Sequence, residues 1–230
     1  MAEELKETGL DRLDGESSSV RLVRDDCGLA LVGDGMELRG DFSRMLPRLR
    51  QGRLQQELLV KAARIKGAEA PTAIDCTAGL GEDSLLLAAA GFVVTLFERD
   101  QTIAALLADA LERAAADPRL AEVVGRMTLV TGDSVAGLAA LPESPDVVYL
   151  DPMFPARTKS AAVKKKFQLL HHLEQPCEEE EALVAAALAA HPRKVVIKRP
   201  AKGGLLAGMK PSYSVGGKAV RYDVLVPPRP

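Results

Sequence analysis

The sequence is poor in cysteine, has no long apolar run and carries almost no net charge, and each shortage closes off a class of protein. Its three cysteines, Cys27, Cys76 and Cys177, stand far apart, with no C-x-x-C pair and no Cys/His cluster at zinc spacing. That argues against a disulfide framework or a structural zinc, predicts no bound metal, and points to reduced thiols in a reducing compartment. No apolar stretch approaches the ~20 residues that cross a bilayer. The opening MAEELKETGLDRLDGESSS is polar and acidic, without the apolar centre of a signal peptide. A soluble, cytoplasmic chain with no membrane partner is the expectation. Lys and Arg number 30 against 32 Asp and Glu, a formal charge of −2. Affinity for a polyanion must therefore come from local basic patches.

Apolar residues make up 47% of the 230, enough for a sizeable core. After the polar lead-in, VRLVRDD, CGLALVGDG and MELRGDF are short alternating runs broken by Asp-Asp-Cys-Gly and Gly-Asp-Gly. They predict a small antiparallel meander, too poor in apolar residues to stand without packing on the rest. Leu54, Leu58, Leu59, Ala62 and Ile65 share one face of a helix predicted over 53–65, with Gly67 placed to end it. Strand-like runs then follow at TAID (72–75), VVTLF (93–97), MTLV (127–130), DVVYL (146–150), KVVIK (194–198) and YDVLV (222–226). Helical stretches separate them at 83–90, 102–116, more weakly after Asp133, and at 178–190, where ALVAAALAA suits close packing. Near-continuous Val, Ile and Leu strands alternating with helices signal a parallel sheet covered on both faces. The expected fold is a doubly wound, Rossmann-like α/β domain over 53–230, preceded by a lead-in and small β element over 1–52.

The first strand runs into Asp75-Cys76-Thr77-Ala78-Gly79-Leu80-Gly81-Glu82-Asp83 and then a helix. In open α/β sheets ligands sit beyond the carboxyl ends of the strands, and Gly79 and Gly81 let the backbone approach one closely. A dinucleotide fingerprint wants a third glycine or alanine where Ser84 stands. Glu82 and Asp83 would also repel a pyrophosphate at the helix end that usually binds it. A ligand carrying an ammonium and a sulfonium but no phosphate suits that turn, and S-adenosylmethionine is one. Glu98, at the tip of the second strand and followed by Arg99, can accept both hydroxyls of a ribose. Asp100 suits a helix N-cap better. Asp133 and Ser134, after the third strand, fit equally an adenine edge or the cap of the next helix.

The most distinctive segment is Asp151-Pro152-Met153-Phe154-Pro155, directly after DVVYL. It resembles the (D/N)PP(Y/F) motif of amino-group methyltransferases, with Met153 in place of the second proline. An exocyclic base amine is a weak nucleophile because its lone pair is delocalised. The Asp151 carboxylate and the Pro152 carbonyl can accept its two N–H bonds and stabilise charge as a methyl arrives. The prolines keep those acceptors aimed, and Phe154 offers a stacking face to an unpaired base. Arg157, Lys159, Lys164, Lys165 and Lys166 lie just beyond, suitably placed for RNA phosphates. Two other basic stretches, Arg44 to Lys66 and Lys194 to Lys202, read as solvated faces. His171 and His172 have no metal-ligand partner at useful spacing.

Taken in order, DCTAGLGEDS, LFERD, the turn after MTLV, VVYLDPMFPARTKSAAVKKKFQLL and KVVIKRP resemble the bacterial RsmJ family. The resemblance runs from about Gly52 to Pro200 and is most specific over Tyr149 to Lys166. It implies a class I S-adenosylmethionine-dependent methyltransferase fold and transfer to guanine N2 in small-subunit ribosomal RNA, with that RNA or the small subunit as partner. It also implies cofactor contacts at Glu82, Asp83, Glu98, Arg99, Asp133, Ser134 and Asp151. Two departures fall in the cofactor region: Glu82 stands where the family more often has a basic residue, and Cys76 where alanine is usual. Methylation of another amine (adenine N6 or a protein glutamine) and a non-catalytic RNA-binding role on the same fold are the alternatives. The acidic helix start and DPMFP disfavour a nicotinamide oxidoreductase.

Overall fold

A computed structural model describes residues 20–33, 35–152 and 180–228. The alternating runs near the start form the expected meander. Strands β1 (Arg21–Asp25), β2 (Gly28–Gly33) and β3 (Met36–Leu38) pair antiparallel in that order. Its apolar face, Leu29, Leu31 and Leu38, is buried against Ile103 and Leu106 of the main domain. Phe42 and Met45, which follow the meander, belong to the main core.

The single helix expected over 53–65 is broken. Short turns of helix run Leu46–Leu49 and Gln51–Leu54, and α1 spans only Leu58–Ala63. Glu57, between them, is extended at φ −59° and ψ 129°. Its carboxylate accepts from Arg48 Nε and Nη2, both at 2.8 Å. Helical periodicity is only a weak preference that packing overrides, and here Leu59, Ala62 and Ala63 are drawn into the main core. Gly67 does take a positive φ, 76°. It turns the chain beyond α1 rather than capping it, because Arg64 already leaves the helix at ψ 125°.

Strand and helix then alternate: β4 (Thr72–Asp75), α2 (Glu82–Ala89), β5 (Val93–Glu98), α3 (Gln101–Ala115), β6 (Met127–Thr131), α4 (Ser134–Ala139), β7 (Val147–Leu150), α5 (Glu180–Ala189), β8 (Lys194–Pro200), β9 (Tyr213–Gly216) and β10 (Val220–Leu225). The sheet order is β6-β5-β4-β7-β8-β10-β9. From β6 to β8 neighbours are parallel; β10 runs antiparallel to β8 and β9. Successive side chains of a strand point to opposite faces. Val147 and Tyr149 of β7 accordingly join the core under α2, with Leu85, Leu86 and Leu87. Val148 and Leu150 join the other, with Leu138, Leu183 and Ala187. Helix α3 begins where Asp100 Oδ1 accepts from the Thr102 and Ile103 amides at 2.8 and 2.9 Å, the expected N-cap.

Strand β9 is an addition to the expected set. It forms a hairpin with β10, closed where the Gly217 amide donates to the Val220 carbonyl at 2.8 Å. Two β-prone runs flanking Gly-Gly-Lys were the available signal. The chain leaves β4 for β5 on one side, while β7 lies on the other. That reversal makes a crevice beyond the ends of β4 and β7, where ligands of such sheets bind.

Candidate active site

The loop after β4 is stitched to both neighbouring strands. The Cys76 amide donates to the Tyr149 carbonyl (3.0 Å), the Ala78 amide to the Phe97 carbonyl (3.1 Å), and the Gly79 amide to Glu98 Oε2 (2.9 Å). The loop's two glycines do different work. Gly79 has φ 53° and open space where a Cβ would project. Gly81 has φ 76°, and a Cβ there would lie 2.7 Å from Leu107 Cδ1 and 3.1 Å from Phe42 Cζ. Gly79 therefore leaves room beside the crevice, whereas Gly81 lets α2 start against α3.

Asp75 is buried, 1% exposed. Its Oδ2 accepts from Ser84 Oγ at 2.5 Å and its Oδ1 from the Thr77 amide at 3.0 Å. Burial pushes its carboxyl up to about 7, with the charges of Asp83 and Asp151 adding to the rise. Glu98 is also buried; Oε1 accepts from the Asp100 amide and Oε2 from Gly79, each at 2.9 Å. Burial raises its carboxyl and these amides partly offset the rise. Arg99 and Glu82 are exposed. Asp133 caps α4, its Oδ1 accepting from the Ala136 amide at 2.9 Å, and Ser134 lies beside the buried Cys76.

At the end of β7, the Asp151 amide donates to Thr77 Oγ1 at 2.8 Å, and Pro152 is buried. Lys198, on β8, reaches across to Asp151 Oδ2 at 2.8 Å and to Asp83 Oδ2 at 2.7 Å. The Tyr149 hydroxyl donates to the same Asp83 oxygen at 2.6 Å. Burial and the Asp83 charge raise the Tyr149 phenol well above its ordinary range, so it remains a donor. Lys198 and Tyr149 are the site residues that sequence reasoning missed. The stretch Lys194 to Lys202, expected to be a solvated face, is largely turned inward. Lys194 Nζ donates to the Ala62 and Arg64 carbonyls (3.0 and 2.7 Å), and Arg199 Nε to the Gly204 carbonyl (2.8 Å). In the Arg44 to Lys66 stretch, Arg44 pairs with Asp41 and Arg48 with Glu57, while Arg50, Arg53, Lys61, Arg64 and Lys66 are exposed.

The fold thus gathers Asp75, Gly79, Asp83, Glu98 and Asp151 at neighbouring strand ends. Phe154, Arg157, Lys159, Lys164, Lys165 and Lys166, with His171, His172 and Cys177, lie outside the described residues. No group of three or more His, Cys, Asp or Glu is arranged to hold a metal among the described residues, and no described helix is long and apolar enough to cross a membrane. Asp83 and Asp151 share the single ammonium of Lys198, with Glu98 at the next strand end, so this end of the sheet is acidic; it attracts a cation and repels a pyrophosphate. Its donors and acceptors fit S-adenosylmethionine, a sulfonium and ammonium without phosphate.

Comparison with known proteins agrees. The family described as "Putative SAM-dependent methyltransferase" matches residues 8–227. A ribosomal RNA small subunit methyltransferase J from Thioalkalivibrio sulfidiphilus is 46% identical, over 93% of this chain and 88% of that protein. One from Neisseria meningitidis is 40% identical, over 92% and 85% respectively. The crystal structure of a SAM-dependent methyltransferase from Neisseria gonorrhoeae superposes with a TM-score of 0.75 at 32% identity, covering 93% of this chain and 85% of that one. The doubly wound sheet is thus a class I methyltransferase fold, and its cofactor is S-adenosylmethionine. The chain belongs to the S-adenosylmethionine-dependent methyltransferase family that includes the ribosomal RNA small subunit methyltransferases J.

Proposed function

We propose that this protein methylates the exocyclic N2 of a guanine in 16S ribosomal RNA, in the cytoplasm, with the RNA or the small subunit as its partner. The names of its relatives support the ribosomal substrate. The observation that carries the choice of an amine is the position of Asp151 and Pro152: at the end of β7, tied through Thr77 to the cofactor loop. S-adenosylmethionine, when bound, supplies an electrophilic methyl group on sulfur. Gly79 would leave it backbone room, Glu98 would accept from its ribose, and Asp83 and Asp151 would favour its positive charge, while Asp75 holds the loop from behind through Thr77 and Ser84. Asp133 and Ser134 border the adenine; Glu82 and Arg99 lie at the rim, with Gly81 behind the loop.

On the substrate side, the Asp151 carboxylate and the Pro152 carbonyl accept the two amine N–H bonds. This drives the nitrogen toward a pyramidal, more nucleophilic form and stabilises its developing charge. The nitrogen lone pair would form the new N–C bond as the methyl–sulfur bond breaks, leaving the neutral thioether S-adenosylhomocysteine, and one N–H proton would pass to solvent. Phe154 stacks on the exposed base, worth ~1–3 kcal/mol. Arg157, Lys159, Lys164, Lys165 and Lys166 hold phosphates.

The test is labelled methyl transfer to 16S RNA, free and within the small subunit, followed by mapping of the modified base. The mapped guanine should lack its methyl in cells without this protein. Asp151→Ala should lower turnover about 10²–10³-fold while the fold is retained. Transfer at the parent rate by that variant, or label on adenine N6 or on a protein glutamine, would overturn the proposal.

A further inference from the structure

Lys198 stands between two carboxylates that would otherwise repel one another. Its Nζ is 2.7 Å from Asp83 Oδ2 and 2.8 Å from Asp151 Oδ2, and its side chain is 26% exposed. Three separate elements converge on this point: α2 brings Asp83, the end of β7 brings Asp151, and β8 brings Lys198 itself. We propose that Lys198 is a positioning residue for methyl transfer, holding Asp151 in one orientation and in its ionised form so that Asp151 Oδ1 stays presented to the substrate amine. This inference rests on the role assigned to Asp151 above.

The geometry makes the orientation claim concrete. Asp151 Oδ2 is occupied by Lys198, its backbone amide by Thr77 Oγ1, and Oδ1 makes no hydrogen bond among the described residues. One oxygen is thus an anchor and the other an acceptor. Asp83 is fixed in the same way, receiving Lys198 and the Tyr149 hydroxyl on one oxygen.

The ionisation claim follows from the charges that face Asp151. From β4 comes Asp75, from α2 Asp83, from β8 Lys198 and Arg199; the phenol of Tyr149 lies on β7 itself. Tyr222 of β10 and Arg48 also face Asp83, and Glu82 lies near Arg48. Burial pushes the Asp151 carboxyl up and Asp83 adds to the rise; Lys198 and then Arg199 pull against it, and the carboxyl stays above its ordinary range. Burial alone would lower the Lys198 ammonium, but Asp83 and Asp151 outweigh burial and hold it above the usual lysine range. Lys198 thus stays charged throughout the working pH range. Without it, carboxylates sharing one low-dielectric site could not all stay ionised. A protonated Asp151 would lose the charge that draws an amine proton, and would compete as a donor.

The experiment is a carbon-13 NMR titration of labelled aspartate carboxyls in the cofactor-free protein, with the Asp151 signal identified by its loss in Asp151→Asn. Lys198→Met should raise the Asp151 midpoint by about one to three pH units, and Lys198→Arg should leave it near the parent value. The acid limb of kcat against pH, at saturating cofactor and RNA, should move with it, so that Lys198→Met regains activity as pH rises. Asp83→Asn should move the midpoint the other way, because it removes a like charge. An unmoved midpoint in Lys198→Met, or a loss of kcat by the same factor at every pH, would overturn the proposal and leave Lys198 a structural tie. If Lys198→Met does not fold, Asp83→Asn decides: an Asp151 midpoint that fails to fall overturns the idea. An Asp151→Ala variant active at the parent rate sinks the role of Asp151 itself. Loss in that variant with an unmoved Lys198→Met titration sinks only the present inference.

Discussion

The backbone N–H of Asp151 donates to Thr77 Oγ1 at 2.8 Å, joining loops 74 positions apart in sequence. The loop after β4 is therefore tied directly to the first residue beyond β7. Thr77→Val keeps the side-chain shape but removes the acceptor. A half-buried N–H left unpaired costs about 1–3 kcal/mol, which denaturant unfolding will register. Turnover should fall about ten- to a hundredfold through misplacement of Asp151, and Thr77→Ser should restore both. Unchanged turnover in Thr77→Val would show that the bond does not position Asp151.

The two glycines of the first loop should separate stability from cofactor binding. Gly81→Ala combines left-handed backbone strain with a clash against Leu107 and Phe42, and should cost about 2–5 kcal/mol. Gly79→Ala meets open space and should cost only the backbone term, about 1–2 kcal/mol. Calorimetry should instead find its loss in affinity for S-adenosylmethionine. Equal effects of the two changes on stability would contradict this division.

Asp75 makes a pH prediction whose sign is opposite to that of a salt-bridged carboxylate. Its folded value is about 7, against about 3.9 in an unfolded chain. The native state therefore binds the proton more tightly, and between those values stability declines as pH rises. Below about pH 4 both states are protonated and the penalty vanishes. Asp75→Asn removes this contribution, so variant minus parent stability should climb in favour of the variant from pH 4 to pH 7. A flat difference across that range would mean that Asp75 is ionised in the folded protein at low pH.

Asp109 of α3 anchors the N-terminal meander. It is 4% exposed, and its oxygens take Arg24 Nη1 at 2.8 Å and Arg113 Nε at 2.7 Å. Arg113 Nη2 also donates to the Gly40 carbonyl at 2.5 Å. Asp109→Ala removes the acceptor of both arginines, leaves Arg113 with only the Gly40 carbonyl and should cost about 1–3 kcal/mol. Arg24→Ala should cost no more than about 1 kcal/mol, because that side chain is half exposed. Limited proteolysis within residues 20–38 should accelerate in the first variant far more than in the second; equal rates would place the anchor elsewhere.

Much of this architecture was legible because its signals are local. Short, mostly apolar runs at 72–75, 93–97 and 146–150, set between helical stretches, read as strands covered on both faces, and beyond the exposed Thr72 and Val93 they are largely buried. Asp100 before an amphipathic run marked the start of α3. The failures are equally specific. Periodicity joined Leu54 to Ile65 in one helix, but the chain is extended at Glu57, where its carboxylate pairs with Arg48. Lys198 looked like one more basic residue at a strand end, and nothing beside it in the chain marks it as buried.

The sequence by itself determined most of the strands and helices in their order, the glycine turn and the place of Asp151-Pro152 at the end of a strand. Each depends on residues within a few positions of one another, where backbone sterics and hydrogen bonding act directly. Only the tertiary structure decided that Asp83, Asp151 and Lys198 meet, because Asp83 and Lys198 are 115 positions apart. It also separated the roles of Gly79 and Gly81, since what a Cβ would strike depends on helix α3 and not on the turn.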